Sequence, residues 1–214
     1  MLQNNIKAII FDLDGVIIDS ENIWDISEQE FLAKRGIFYK REEIKHVITG
    51  TSMKEAIVKM QGFYGFSGRP EELASEWLEM VKGLFRQKIE FVSGFREFFE
   101  NISDKYLTCV ATSMDTELLE IVDRKLDLAR YFPERIFTAA DVGGKGKPAP
   151  DIFLYAAQRI GVLPSDCMVI EDAPLGIEAA HRAGMKCIAL ATTHNSDKLQ
   201  EADYICQGFQ DIKL

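Results

Sequence analysis

Short apolar runs recur along the chain with little polar alternation: KAIIF (7–11), YLTCVA (106–111), RIFTA (135–139), CMVIE (167–171), KCIALA (186–191) and a weaker DYIC (203–206). Near-continuous runs of this length predict strands buried on both faces, as in a parallel sheet. Between them the apolar spacing changes to that of helices. DTELLEIVDRKLDLA places Leu118, Leu119, Val122 and Leu126 on one stripe. APDIFLYAAQRIG starts on Pro150 and Asp151 and stops at Gly161, and APLGIEAAHRAG stops at Gly184. Strands alternating with helices predict an α/β fold, a Rossmann-like parallel sheet with right-handed crossovers.

The interval from about Glu21 to Phe91 breaks the alternation, because it holds no strand pattern. It reads as helices over NIWDISEQEFLAKRG, SMKEAIVKMQG and PEELASEWLEMVKGLFRQKIE, the last opening on Pro70, with YGFSGRP (64–70) as a turn cluster. Such a stretch is too long for a simple crossover. It predicts a helical domain over 20–91 inserted into a core of 1–19 and 92–214.

Composition narrows the partners. The chain has 214 residues, 47% hydrophobic and 28% charged, as expected of a globular protein with a sizeable core. A formal net charge of −9 argues against nucleic acid or an anionic membrane as partner. No apolar run approaches the roughly 18 residues that span a bilayer. The start, MLQNNIKAIIF, lacks a small-residue cleavage site and is not read as a signal peptide. Cys109, Cys167, Cys187 and Cys206 are scattered without a CxxC pair and read as reduced thiols, so a cytoplasmic location is the default expectation, and a monomer is the default for a two-domain protein of this kind.

In open parallel sheets, ligands bind beyond the carboxyl ends of the strands. The first strand ends on Asp12 and Asp14. The second ends on Thr112 and Ser113. The third leads through a loop to GGKGKPAP with Lys147, and the fourth ends on Glu171 and Asp172. Each feature alone has an ordinary structural reading: a solvated turn, a helix N-cap, a loop dipeptide. Their joint arrival at one edge points instead to chemistry. Four carboxylates against one lysine leave about three negative charges, and two like charges 4 Å apart repel by about 4 kcal/mol at an effective dielectric near 20. Such a site must hold a proton or take up a cation. Hard oxygen donors suit Mg²⁺, and a metal beside a lysine and hydroxyls makes a seat for a phosphate dianion.

Competing phosphate motifs fail. GGKGKP has the wrong glycine spacing for a Walker loop, with Pro148 where Ser or Thr belongs, and no GxGxxG follows the first strand. There is no GxSxG, and His46, His181 and His194 are isolated surface or helix-face residues.

FDLDGVIIDS, VATS, GKPAPDIF and VIEDAPLGIEAAHRAGM together resemble the four signature motifs of the haloacid dehalogenase-like superfamily, in the right order. The helical insert resembles the cap of the subgroup that includes β-phosphoglucomutase and many small-molecule phosphatases. The resemblance implies Asp12 as nucleophile, forming an aspartyl-phosphate. It implies Asp14 as general acid and then base, its backbone carbonyl also binding Mg²⁺. It further implies Thr112, Ser113 and Lys147 as phosphate ligands, Asp172 as a metal ligand, and Glu171 as a direct or water-mediated one. The activity it implies is hydrolysis of a small phosphorylated metabolite such as a sugar phosphate. A phosphomutase is the alternative. Where the mutase carries a histidine and an arginine in its cap, Trp24 and Met53 stand here, both also readable as cap core. A non-catalytic binder is a third reading, disfavoured because Asp12, Asp14, Lys147, Glu171 and Asp172 are all present. Asp19 reads as a hinge or helix-cap residue, and Gly15 as the pivot of the turn after the first strand.

Overall fold

In the computed structural model, residues 5–48 and 53–214 are described, the side chain of His46 excepted. The first four residues, the side-chain reading of His46, and residues 49–52 before Met53 lie outside that set. The chain divides into two units, one of residues 1–19 and 90–214 and one of 20–89.

The first unit is a parallel six-stranded sheet built from β1 (Ala8–Phe11), β2 (Leu107–Thr112), β3 (Ile136–Thr138), β4 (Cys167–Glu171), β5 (Lys186–Leu190) and β6 (Tyr204–Cys206). The strand order is β3-β2-β1-β4-β5-β6, so the fold is Rossmann-like. Strand β1 is central, and Ala8, Ile9, Ile10 and Phe11 are all fully buried, which is why its sequence lacks alternation.

The second unit is helical: α1 (Glu21–Ala33), α2 (Arg41–Ile48), α3 (Met53–Tyr64) and α4 (Pro70–Lys88). Around the sheet follow α5 (Phe95–Ile102), α6 (Thr116–Leu126), the single turn α7 (Leu128–Tyr131), α8 (Asp151–Ile160) and α9 (Pro174–Arg182). On one sheet face Ala8 and Ile10 join a core with Ile152, Phe153, Ile177 and Ala180 of α8 and α9. On the other, Phe11 meets Phe95, Phe98 and Phe132 edge-on at 5.8–6.3 Å.

Three local readings need correction. The hydrophobic pattern does not single out α2 or α5, although Phe95, Phe98, Phe99 and Ile102 carry a helical spacing and are all buried. Both are eight-residue helices next to turns, too short to stand out. The helix expected over 115–129 breaks at Asp127, whose φ of 55° is left-handed, and the Asp123 carboxylate takes up the Ala129 N–H at 2.8 Å. Asp19 is not a helix cap. Ser20 stands at that position of α1, its carbonyl accepting from Ile23 and Trp24, while the Asp19 N–H bonds the Glu90 carbonyl at 3.0 Å.

Cys109, Cys167, Cys187 and Cys206 are free thiols, the first three buried. Among the described residues no helix is long and apolar enough to cross a membrane.

Candidate active site

Strand β1 delivers Asp12 to the carboxyl edge while still in the ladder, since the Asp12 N–H bonds the Ile170 carbonyl of β4 at 2.9 Å. The chain then turns sharply. Ile17 and Ile18 donate to the Leu13 carbonyl, and the Gly15 N–H donates to the Ile18 carbonyl at 2.9 Å. Gly15 has a φ of +71°, and a Cβ there would overlap the Asp172 carboxylate, whose Cγ lies at 2.7 Å. Only glycine lets the two segments approach so closely.

Asp12, Glu171 and Asp172 each present a carboxylate oxygen within 4.8 Å of the others, and all three are buried. Lys147 reaches in from its loop, pairing with Asp12 Oδ1 and with Glu171 Oε1 at 2.6 Å. The second Glu171 oxygen accepts the N–H groups of Asp172 and Ala173 at 2.8 and 3.0 Å, just before α9. Gly176 leaves the space for that carboxylate: a Cβ there would stand 2.5 Å from Oε2 and nearer still to Oε1 and Cδ.

The electrostatics follow from burial. Removal from water, reinforced by Glu171 and Asp14, pushes Asp12 up to about 7 against the pull of Lys147. Burial likewise holds Asp172 well above the carboxylate range, with Glu171 and Asp12 adding to it and a hydrogen bond from Thr193 opposing it. Burial works to lower Lys147, but Asp12 and Glu171 outweigh it and hold the ammonium above its ordinary value. Three acids and one lysine thus stand close with an excess of negative charge. The donor set consists of hard carboxylate oxygens around a common point, which fits a hard divalent cation.

The structure therefore brings Asp12, Lys147, Glu171 and Asp172 together. The Asp14 carboxylate lies outside the metal-sized group but near enough to act on Asp12, and its Oδ1 is shielded from solvent. Thr112 closes β2 at the same edge, two residues beyond the Phe11–Val110 pair. It is buried, its hydroxyl accepting the Met114 N–H at 3.0 Å, and the neighbouring Ser113 is exposed. Trp24 and Met53 belong to the helical unit. Trp24 packs edge-on to Trp77 and Phe85 at 6.2 and 5.9 Å, and Met53 opens α3. Trp77 is itself core, its indole N–H donating to Ser27 Oγ at 3.0 Å.

Sequence reasoning missed two residues at this edge. Behind β5 the Thr192 hydroxyl donates to the Gly15 carbonyl at 2.6 Å, and Thr193 reaches Asp172. The available signal was position alone, a Thr-Thr pair following a fifth buried strand.

Comparison with known proteins finds relatives that cover most of the chain. The chain is 30% identical over 209 residues to the validoxylamine A 7′-phosphate phosphatase of Streptomyces hygroscopicus subsp. limoneus, covering 97% of this chain and 96% of that one. It is 31% identical over 184 residues to the phosphorylated carbohydrates phosphatase of Thermotoga maritima, covering 85% and 83%. Among solved structures, a haloacid dehalogenase-like protein from Agrobacterium tumefaciens superposes with a TM-score of 0.84 at 27% identity, over 96% of this chain and 95% of that one. The family profile of haloacid dehalogenase-like hydrolases matches residues 6–184, and the chain belongs to that family.

Proposed function

We propose that the protein is a Mg²⁺-dependent phosphatase of small phosphorylated carbohydrates and related phosphomonoesters, working through an aspartyl-phosphate on Asp12. The observation that carries the reading is the buried group of Asp12, Glu171 and Asp172 around Lys147 at the carboxyl edge of β1 and β4. The two phosphatase relatives, named for a phosphorylated carbohydrate and for validoxylamine A 7′-phosphate, support the substrate class.

Asp12 attacks phosphorus, forming an oxygen–phosphorus bond as the ester bond breaks. Asp14 gives its proton to the departing alkoxide, so the alcohol leaves neutral. Asp14 then takes a proton from the attacking water, which breaks the Asp12–phosphorus bond and restores the carboxylate. The Thr112 hydroxyl, the Ser113 N–H and the Lys147 ammonium hold the phosphoryl oxygens through both halves. Asp12, Asp172 and the Asp14 carbonyl would hold the metal directly. Glu171, whose oxygens already serve Lys147 and two backbone N–H groups, would reach it through water. When bound, Mg²⁺ supplies positive charge that offsets the carboxylates and the phosphate dianion.

The test is phosphate release from an aryl phosphate and from a panel of sugar phosphates. Asp12→Asn should lower turnover by about 10⁴-fold or more with the far-ultraviolet circular dichroism unchanged. EDTA should stop the wild type, and Mg²⁺ restore it. Wild-type turnover in Asp12→Asn would remove the nucleophile assignment, and turnover insensitive to EDTA the metal.

A further inference from the structure

Four strand ends carry the chemistry proposed above, and the fifth also reaches it. Behind β5, ATTHN (191–195) brings two adjacent hydroxyls to the same sheet edge. The Thr192 hydroxyl donates to the Gly15 carbonyl at 2.6 Å, while its contact with the Leu190 carbonyl in its own segment is 3.5 Å. A threonine serving only its own loop would favour the local partner, yet the short bond runs to a residue 177 positions away. On the other side of Gly15, its N–H donates to Ile18. The N–H and C=O of a trans peptide point in opposite directions, so that bond turns the Asp14 carbonyl away from Ile18. The Thr192 bond then pins the next peptide. The Thr193 hydroxyl and the Asp172 carboxylate meet over Gly15, where both occupy the space that a Cβ would fill. One dipeptide thus touches the turn that carries Asp14 and the acid that follows β4.

We infer that Thr192 and Thr193 are positioning residues that fix the Asp14–Gly15 turn against the Asp172 carboxylate and so set the affinity for the divalent cation. The inference rests on the metal-dependent reading above. Neither hydroxyl need touch the metal or the substrate. Thr193 stands against an acid that would hold the metal, and Thr192 holds the peptide next to the Asp14 carbonyl that would, in the way that outer partners orient metal-binding groups.

The experiment is calorimetric titration of Mg²⁺ alone into the full chain, as wild type, T192V, T193V and T193S, with the metal-free melting temperature of each. Loss of such outer contacts costs about 10–100-fold in metal affinity, so T193V should raise the Mg²⁺ Kd by about tenfold or more. T193S, which keeps the hydroxyl, should stay close to wild type. T192V alters an exposed side chain and should fold normally, with a Kd raised in the same direction. A merely structural role would lower the metal-free melting temperature and leave Kd alone. An unchanged Kd in T192V or in T193V overturns the role of that residue. A wild type that takes up no Mg²⁺ overturns the proposed function instead, so the two failures are distinct.

Discussion

Gly176→Ala should do the opposite of what its helix asks for. Gly176 lies inside α9, where alanine is favoured over glycine by about 1 kcal/mol. Its φ is an ordinary helical one, so the backbone accepts a side chain. The added methyl, however, falls on the Glu171 carboxylate, 2.5 Å from Oε2 and closer to Oε1 and Cδ. Glu171 is 1% exposed and held by Lys147 at 2.6 Å and by two N–H groups at 2.8 and 3.0 Å. Hydrogen bonds to charged groups contribute about 1.5–3 kcal/mol each, so displacing the carboxylate from two of them costs about 3–6 kcal/mol. Set against the helix gain, the net loss is about 2–5 kcal/mol, or a melting temperature lower by roughly 5–15 °C for a chain of this size. Lys147 also loses one of its two anchors, and a misplaced ammonium should lower kcat by about 10²-fold. Urea unfolding followed by circular dichroism, with phosphate release alongside, measures both. Gly83→Ala in α4 is the control, since nothing stands within 4 Å of its Cβ position, and it should gain up to about 1 kcal/mol. If Gly176→Ala behaved like Gly83→Ala and kept its kcat, Glu171 would not be held where the structure has it.

Further predictions concern charge. In the metal-free protein Asp12 keeps its proton up to about pH 7, whereas the unfolded chain releases it near 3.8. Relative to Asp12→Asn, stability without metal should therefore fall as pH rises from about 4 to 7, by an amount on the order of 4 kcal/mol. Saturating Mg²⁺ should flatten that slope in denaturant titrations, and a metal-free stability that rose over this range relative to Asp12→Asn would contradict the assigned burial. In the helical unit the Lys45 ammonium lies 2.9 Å from Asp25 and 3.3 Å from Glu28, whose side chain is 4% exposed and also bonded to the Tyr39 hydroxyl. Lys45→Met should cost about 3 kcal/mol at pH 7. Burial raises the Glu28 pKa, so protonation near pH 4 should relieve part of that loss, and an equal loss at both pH values would refute the pairing. Incubation with β-glucose 1-phosphate and a bisphosphate primer should release inorganic phosphate. Accumulation of glucose 6-phosphate would favour the phosphomutase alternative.

Legibility from sequence followed range of interaction. The strands were readable because β1, β4 and β5 are buried on both faces and so lose their alternation, a signal confined to each segment. The helix starts and stops at Pro70, Pro150, Gly161 and Gly184 are equally local. α5 carried its spacing in plain view but too briefly to be separated from a turn, and its worth lies in a partner far away, the face of Phe11. The break at Asp127 depends on one left-handed residue and a side-chain bond from Asp123, which periodicity does not encode.

For the candidate site, the order of acids, hydroxyls and lysine at successive strand ends singled out Asp12, Asp14, Thr112, Ser113, Lys147, Glu171 and Asp172 as candidates, because a parallel sheet sends every strand's carboxyl end to one edge, and the structure brings Asp12, Lys147, Glu171 and Asp172 together there. Their division of labour was not in the order. Only packing decided that Glu171 spends one oxygen on Lys147 and the other on two backbone N–H groups. Packing also decided that Gly176 and Gly15 are spaces left for carboxylates, and that Trp77 is core. Thr192 and Thr193 show the limit most plainly. Their meaning is a bond across 177 residues and a fit over Gly15, which come into being only when β5 and β1 lie in the same folded sheet.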